Sequence, residues 1–177
     1  MKNTIVKDFV MPIAVLTVIC LVISGALALT NNITAPIIEE TSRINAENAR
    51  KAALPAADSF EQLTLPDDAP VTVKEAYKAT NGAGYVFTLV TKGFGGNMKI
   101  VFSIDADGKI VSTQLLEHSE TQGIGSRAAT PENTDQYKGK DANLENVETL
   151  SGATKTTAPF KAAIQDAFIA YNMVKEG

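Results

Sequence analysis

Four hydroxyl side chains, a glycine and a lysine fall within seven residues, Ser151-Gly152-Ala153-Thr154-Lys155-Thr156-Thr157, at the entrance to the last amphipathic segment of the chain. A helix N-terminus leaves its first N–H groups unpaired and carries a partial positive charge, which favours a phosphate. Gly152 lets the backbone approach a ligand closely, and Lys155 adds charge. Thr154 offers a hydroxyl that can donate to a phosphate or be esterified by one. The same residue types also serve as plain N-caps with no ligand present, so local chemistry alone leaves both readings open. Two further stretches hold reactive or aromatic side chains among glycines. One is Lys92-Gly93-Phe94-Gly95-Gly96. The other, His118-Ser119-Glu120-Thr121-Gln122-Gly123-Ile124-Gly125, contains the chain's single histidine.

The elements that must position these residues follow from the period of the apolar positions. Val71 to Ala79, Tyr85 to Thr91, Met98 to Ile104 and Lys109 to Glu117 are rich in Val, Ile, Tyr, Phe and Thr. Short turn signals separate them (Asn81 to Gly84, Gly93 to Gly96, Ala106 to Gly108), which predicts an antiparallel meander. Alternation in Tyr85-Val86-Phe87-Thr88-Leu89 predicts one buried face and a less buried one. A loop-rich stretch runs from His118 to about Leu144. The last helix is predicted at roughly Thr156 to Lys175, with Phe160, Ala163, Ile164, Ala167, Phe168 and Tyr171 on the face packed against the sheet. Pro159 suits its first turn. The expected fold is a small α+β domain carried on one N-terminal transmembrane helix.

That helix is read from Phe9 to Thr30, twenty-two residues without a charge, which at ~1.5 Å per residue reach roughly 33 Å, enough to cross a hydrocarbon core. Ala26-Leu27-Ala28 also fits a signal-peptide cleavage site, but the apolar run exceeds the usual ~7–15-residue signal core. Lys2 and Lys7 precede the run, so the positive-inside rule places residues 1–8 in the cytoplasm and the remainder outside. The expected organisation is an anchor over 9–30, a helical connector over 31–70 with a helix from Pro36 to about Ala57, and an extracytoplasmic domain over 71–177. Ser24-Gly25-Ala26 offers small residues for packing against other membrane helices.

Composition removes several classes of function. The 177-residue chain has 16 Lys and Arg against 20 Asp and Glu, a formal charge of −4. It shows no basic stripe with interleaved aromatics, so nucleic acid is not an expected partner. Cys20, the single cysteine, lies inside the span, and no Cys/His cluster is spaced for zinc or iron–sulfur ligation. With one histidine there is no nucleophile–base–orienter set suited to hydrolysis. Any redox chemistry requires a cofactor held in another way.

Glu148-Thr149-Leu150-Ser151-Gly152-Ala153-Thr154 resembles the flavinylation motif of the FMN-binding domain family, Asp-x-x-Ser/Thr-Gly-Ala-Thr/Ser, with Glu148 in place of Asp. His118 to Gly125 resembles the family's His-x-Glu-Thr-Pro-Gly-Leu-Gly loop, with Gln122 for Pro and Ile124 for Leu. Lys92 to Gly96 is similar to its glycine–aromatic turn. The three motifs lie in the family's order behind a membrane anchor, and the resemblance covers nearly the whole chain. Within the family the plan is most similar to the G-subunit branch of Rnf-type electron-transport complexes. The C-subunit branch of sodium-pumping NADH:quinone reductases shares that plan but is usually longer.

The resemblance implies FMN joined to Thr154 by a phosphoester and attached by a separate flavin transferase acting as a transient partner. It implies a membrane complex of integral and redox subunits moving electrons between reduced ferredoxin and NAD, coupled to Na⁺ or H⁺ translocation. In this reading Ser151, Gly152, Ala153 and the backbone around Thr156 and Thr157 cradle the phosphate. Glu148 serves transferase recognition or loop geometry, against the alternative of a solvated carboxylate. His118, Glu120 and Thr121 line the ring or ribityl chain, with His118 otherwise a surface residue. Phe94 covers the flavin or only packs its turn. A standalone membrane-anchored reductase and a scaffold whose SGAT is only a helix cap remain the rival readings.

Overall fold

The computed structural model describes residues 10–176; Lys2, Lys7 and the expected cytoplasmic segment 1–8 lie outside them. The chain forms two compact units, Met1–Ala46 and Glu47–Gly177. Helix α1, Met11–Ala53, supplies the described part of the first and enters the second with its last turns.

In the first unit α1 carries the one stretch among the described residues that is long and apolar enough to cross a membrane, and none of that stretch is buried by the protein. Leu21, Val22 and Leu29 are about two-thirds exposed. The sequence predicts a span ending at Thr30 and a second helix beginning at Pro36, but the structure has a single helix through both. Thr30-Asn31-Asn32 reads as a boundary by polarity, yet polarity does not break a helix whose hydroxyls are satisfied internally. Thr30 Oγ1 donates to Ala26 O at 2.9 Å and Thr34 Oγ1 to Thr30 O at 2.8 Å. Pro36 removes one N–H from the ladder without ending the helix. The end comes at Ala53 rather than near Ala57, because Pro55 follows and disfavours helical backbone at Leu54.

The second unit is built on a five-stranded antiparallel sheet of order β1-β2-β3-β4-β5: β1 Phe60–Leu63, β2 Val73–Ala79, β3 Gly84–Lys92, β4 Asn97–Asp105 and β5 Ile110–His118. Four strands follow the sequence expectation. Strand β1 falls in the segment read as a helical connector and becomes a strand by pairing, with Phe60 opposite Ala79 and Leu63 opposite Ala76. Helix α3, Thr154–Glu176, lies on one face. There Phe87, Leu89, Ile100, Phe102 and Ile104 form a core with Phe160, Ile164, Ala167, Phe168 and Tyr171. Phe102 meets Phe168 edge-on at 5.4 Å between ring centroids, a favoured aromatic geometry.

The other face is not left open. Val86, Val101 and Ala79 pack with Ala49 and Ala53 at the end of α1 and with Leu54 just beyond it. Ser103 Oγ donates at 2.7 Å to the C-terminal carbonyl of that helix at Ala53, and Arg50 lies over the Tyr77 ring at 4.1 Å. Covering on both sides explains why β3 is buried at Val86, Phe87, Thr88 and Leu89 in succession, where alternation alone predicts one buried face.

The stretch read as loop-rich holds short helical turns: 3₁₀ turns at Gly125–Ala129 and Asp135–Tyr137, with a one-turn helix α2, Pro131–Thr134, between them. Tyr137 buries its ring against Phe160 at 5.5 Å, and burial pushes its phenol well above the ordinary tyrosine range. The backbone of Lys140 and Gly139 bonds to Ile110 at 2.9 and 2.8 Å, which ties this stretch to the start of β5.

A cleft at the N-terminus of the last helix

Three segments converge on the start of α3: the β3–β4 turn, the loop after β5, and residues Leu150 to Thr157. The first is the four-residue turn 93–96, closed by the Gly93 N–H on Gly96 O at 2.8 Å. It displays Phe94 with 67% of its surface exposed. The second presents Thr121 and Ile124, the latter 54% exposed. Together the segments enclose a cavity of about 330 Å³ lined by Phe94, Glu120, Thr121, Ile124, Gly125 and the run Gly152 to Thr156. That volume lies at the lower end of ordinary small-molecule sites, roughly 300–1,000 Å³.

The three threonines of the motif differ sharply. Thr156 is buried and donates its hydroxyl to Glu120 Oε2 at 2.7 Å. Thr157 is buried too, accepting from the Leu150 N–H at 3.1 Å and donating to Ala153 O at 3.2 Å. Thr154 is exposed, and its hydroxyl makes only a long 3.3 Å bond to Leu150 O. Of the three, Thr154 alone presents an accessible hydroxyl to the cavity. The backbone sorts in the same way. The N–H groups of Thr156 and Thr157 both turn to Ala153 O at 2.9 Å, which leaves Thr154 and Lys155 at the start of the helix to face an anion. Gly152 has φ +79°, a left-handed conformation that brings the chain into that turn and disfavours a side chain there.

The remaining expected residues divide between the cavity and its supports. Ala153 is buried beneath the turn. Ser151 is exposed, and its carbonyl accepts from Arg127 Nη1 at 2.9 Å. Glu148 is exposed and off the cavity lining; its backbone N–H and carbonyl are both bound by the Gln136 side-chain amide, at 2.9 and 3.0 Å. His118 ends β5 on the surface, outside the lining, with Nδ1 accepting from the Glu120 N–H at 3.3 Å. Glu120 and Thr121 do reach the cavity.

Lys155 stands where its charge was expected, and three residues outside the expected set, Ile124, Gly125 and Arg127, also contribute. Lys155 extends its ammonium over the Phe94 ring at 5.3 Å, inside the range of a cation–π contact, and so links two walls. Ile124 and Gly125 line the cavity; the repeated glycines of their loop were the signal, since Gly125 is buried where a Cβ would strike Glu120. Arg127 fixes Ser151 while paired with Glu132 at 2.6 Å, a bond that raises its already high pKa. Nothing in its local sequence marks Arg127, because its partners lie five residues ahead and twenty-four beyond.

The donor set fits a flavin mononucleotide: an accessible hydroxyl for a phosphate ester, helix-start N–H groups and Lys155 for the phosphate oxygens, and Phe94 and Ile124 as apolar surface for the ring. Residues 93–169 match the family model of the FMN-binding domain, so this cleft lies in a flavin-binding module. Over most of its length the chain is similar to the G subunit of the Na⁺-translocating ferredoxin:NAD⁺ oxidoreductase complex of Acetobacterium woodii. The two are 34% identical, with 92% of this chain and 84% of the relative aligned. It is 30% identical to the G subunit of the ion-translocating oxidoreductase complex of Methanosarcina acetivorans, over 97% of this chain and 98% of that one. The G subunit of the proton-translocating ferredoxin:NAD⁺ oxidoreductase complex of Clostridium ljungdahlii is 24% identical over 86% and 85%. The chain belongs to the G-subunit family of ion-translocating oxidoreductase complexes.

Proposed function

We propose that this chain is the covalent-FMN electron carrier of a membrane-bound ferredoxin:NAD⁺ oxidoreductase, with the flavin phosphate esterified to Thr154. The accessibility of the Thr154 hydroxyl beside the two sequestered threonines carries this reading. Bound FMN supplies one- and two-electron redox chemistry, and the protein's task is to hold and tune it. Here Thr154 retains the cofactor by a covalent bond, which matters for a domain that cannot draw on cytoplasmic FMN if the cofactor dissociates. The N–H groups of Thr154 and Lys155, with the Lys155 ammonium, hold the phosphate. Phe94 and Ile124 shield the ring from one side of the cleft. Among the described residues no side-chain set is arranged to make the ester, and the family resemblance implies a separate flavin transferase as the transient partner. It acts on an activated FMN donor whose leaving group departs as the phosphorus–Oγ1 bond forms; the linked chain exceeds the bare chain by FMN less one water.

The apolar stretch of α1 anchors the chain, and Lys2 and Lys7 before it support a cytoplasmic N-terminus with the flavin domain outside. Integral subunits of the complex are the partners from which electrons arrive and to which they leave. The relatives' names include both Na⁺ and protons, and the proposal covers either coupling ion. The test is isolation of tagged full-length chain from its native membranes in mild detergent. Integral subunits should copurify, and flavin should stay with the chain through denaturation. A chain that elutes alone and releases its flavin on denaturation would contradict the proposal.

A further inference from the structure

Glu120 holds a carboxylate in the wall of the cleft in a place where it is only 8% exposed. Its two oxygens are claimed by different segments: Oε1 accepts from the Gly95 N–H at 2.9 Å, and Oε2 from the Thr156 hydroxyl at 2.7 Å. A methyl group at Gly93 would strike Oε1, and one at Gly125 would strike Oε2. The turn carrying Phe94, the loop carrying Ile124 and the helix start carrying Thr154 therefore meet on one side chain. An uncharged pair of acceptors would cost less to bury than a carboxylate. The Gly95 N–H and the Thr156 O–H solvate the charge without cancelling it.

We propose that Glu120 is the positioning residue of this cleft and that its charge lowers the electron affinity of the group seated there. The inference rests on the reading that FMN occupies the cavity. By tying Gly95 to Thr156, the carboxylate keeps Phe94 and Thr154 on their separate walls. By lining the cavity, it adds a fixed negative charge against which any electron entering the site must be placed. The two roles separate by substitution. Glu120→Gln keeps an acceptor for Gly95 and can donate to the Thr156 oxygen, yet removes the charge. Glu120→Ala removes both.

The experiment uses full-length chain from its native membranes and three readouts: fraction of Thr154 carrying FMN, midpoint potential of the bound flavin, and exchange rate of the Gly95 amide proton. Glu120→Gln should retain most of its FMN and shift the potential to a more positive value, an effect that loosened packing alone does not predict. Glu120→Ala should lose occupancy several-fold and speed Gly95 exchange by roughly tenfold or more, since a hydrogen bond to a charged acceptor is removed. An unchanged potential in Glu120→Gln would overturn the electrostatic role, and wild-type exchange at Gly95 in Glu120→Ala would overturn the positioning role. If the wild-type chain carries no FMN, the functional reading fails and the electrostatic role falls with it. The Gly95 exchange comparison still decides the positioning role in that case.

Discussion

Behind the sheet, Val86, Val101 and Ala79 meet Ala49, Ala53 and Leu54 with one hydroxyl, Ser103, bonded to a helix carbonyl. At the cleft, a glycine-rich turn, the loop after β5 and the start of α3 meet on the Glu120 carboxylate, with Phe94 and Ile124 left bare. Apolar burial holds the one region, and directional hydrogen bonds hold the other. Burial is tolerant of small shifts and gives stability; hydrogen bonds fix the positions of groups that must meet a ligand. Residues important to this cleft therefore need contribute little to folding, and the largest folding contributions lie elsewhere.

The largest stability effect is expected in the apolar core on the opposite face of the sheet, under α3. Phe102→Ala, at a fully buried position, should lower the unfolding free energy by about 3–5 kcal/mol in denaturant titrations, while the folded fraction keeps its flavin occupancy. Ser103→Ala should cost about 1–3 kcal/mol, because the Ala53 carbonyl loses its buried donor. A smaller loss, about 0.5–1.5 kcal/mol, is expected for Thr157→Ala, which removes the acceptor of the part-buried Leu150 N–H. Thr154→Ala should change stability by less than about 0.5 kcal/mol and abolish covalent flavin. A Thr154 variant that unfolds the domain would erase the distinction between the two regions.

The weakest expected effect is in acid. The hydrogen bond from Lys109, and then the Asn143 N–H, hold the exposed Asp141 carboxyl below the usual carboxylate range. A depressed folded-state pKa gives a contribution that is present above the unfolded value near ~4 and is lost as pH falls through the folded one. Asp141→Asn should remove a small part of the stability difference between pH 6 and pH 3, measured as the shift in thermal midpoint, and leave the cleft's contribution unchanged.

The meander was legible because Asn81-Gly82-Ala83-Gly84, Gly93 to Gly96 and Asp107-Gly108 punctuate runs of β-branched and aromatic residues. Phe60-Glu61-Gln62-Leu63 was not, since a four-residue edge strand acquires its conformation from β2 rather than from its own composition. The two helices expected on either side of Thr30-Asn31-Asn32 are one, with the Thr30 and Thr34 hydroxyls bonded back to carbonyls within the ladder. In the cleft, the hydroxyls and glycines identified the segments that come together, and the family resemblance singled out Thr154, but local composition did not show the burial of Thr156 and Thr157. Thr154, Thr156 and Thr157 are chemically alike, and only the fold shows that one faces outward while two are sequestered. Glu120 reads in sequence as a ligand-lining residue; its links to Gly95 and Thr156, twenty-five and thirty-six positions away, are set by the packing of the sheet and α3.

Covalent attachment at Thr154 is tested most directly by the intact mass of denatured full-length protein from its native membranes, followed by a peptide map across residues 148–161. The expected result is a gain of one FMN less one water, located on Thr154 and absent from Thr154→Ala. The same adduct on Thr156 or Thr157, or an unmodified Thr154 in a host with an active flavin transferase, would contradict it.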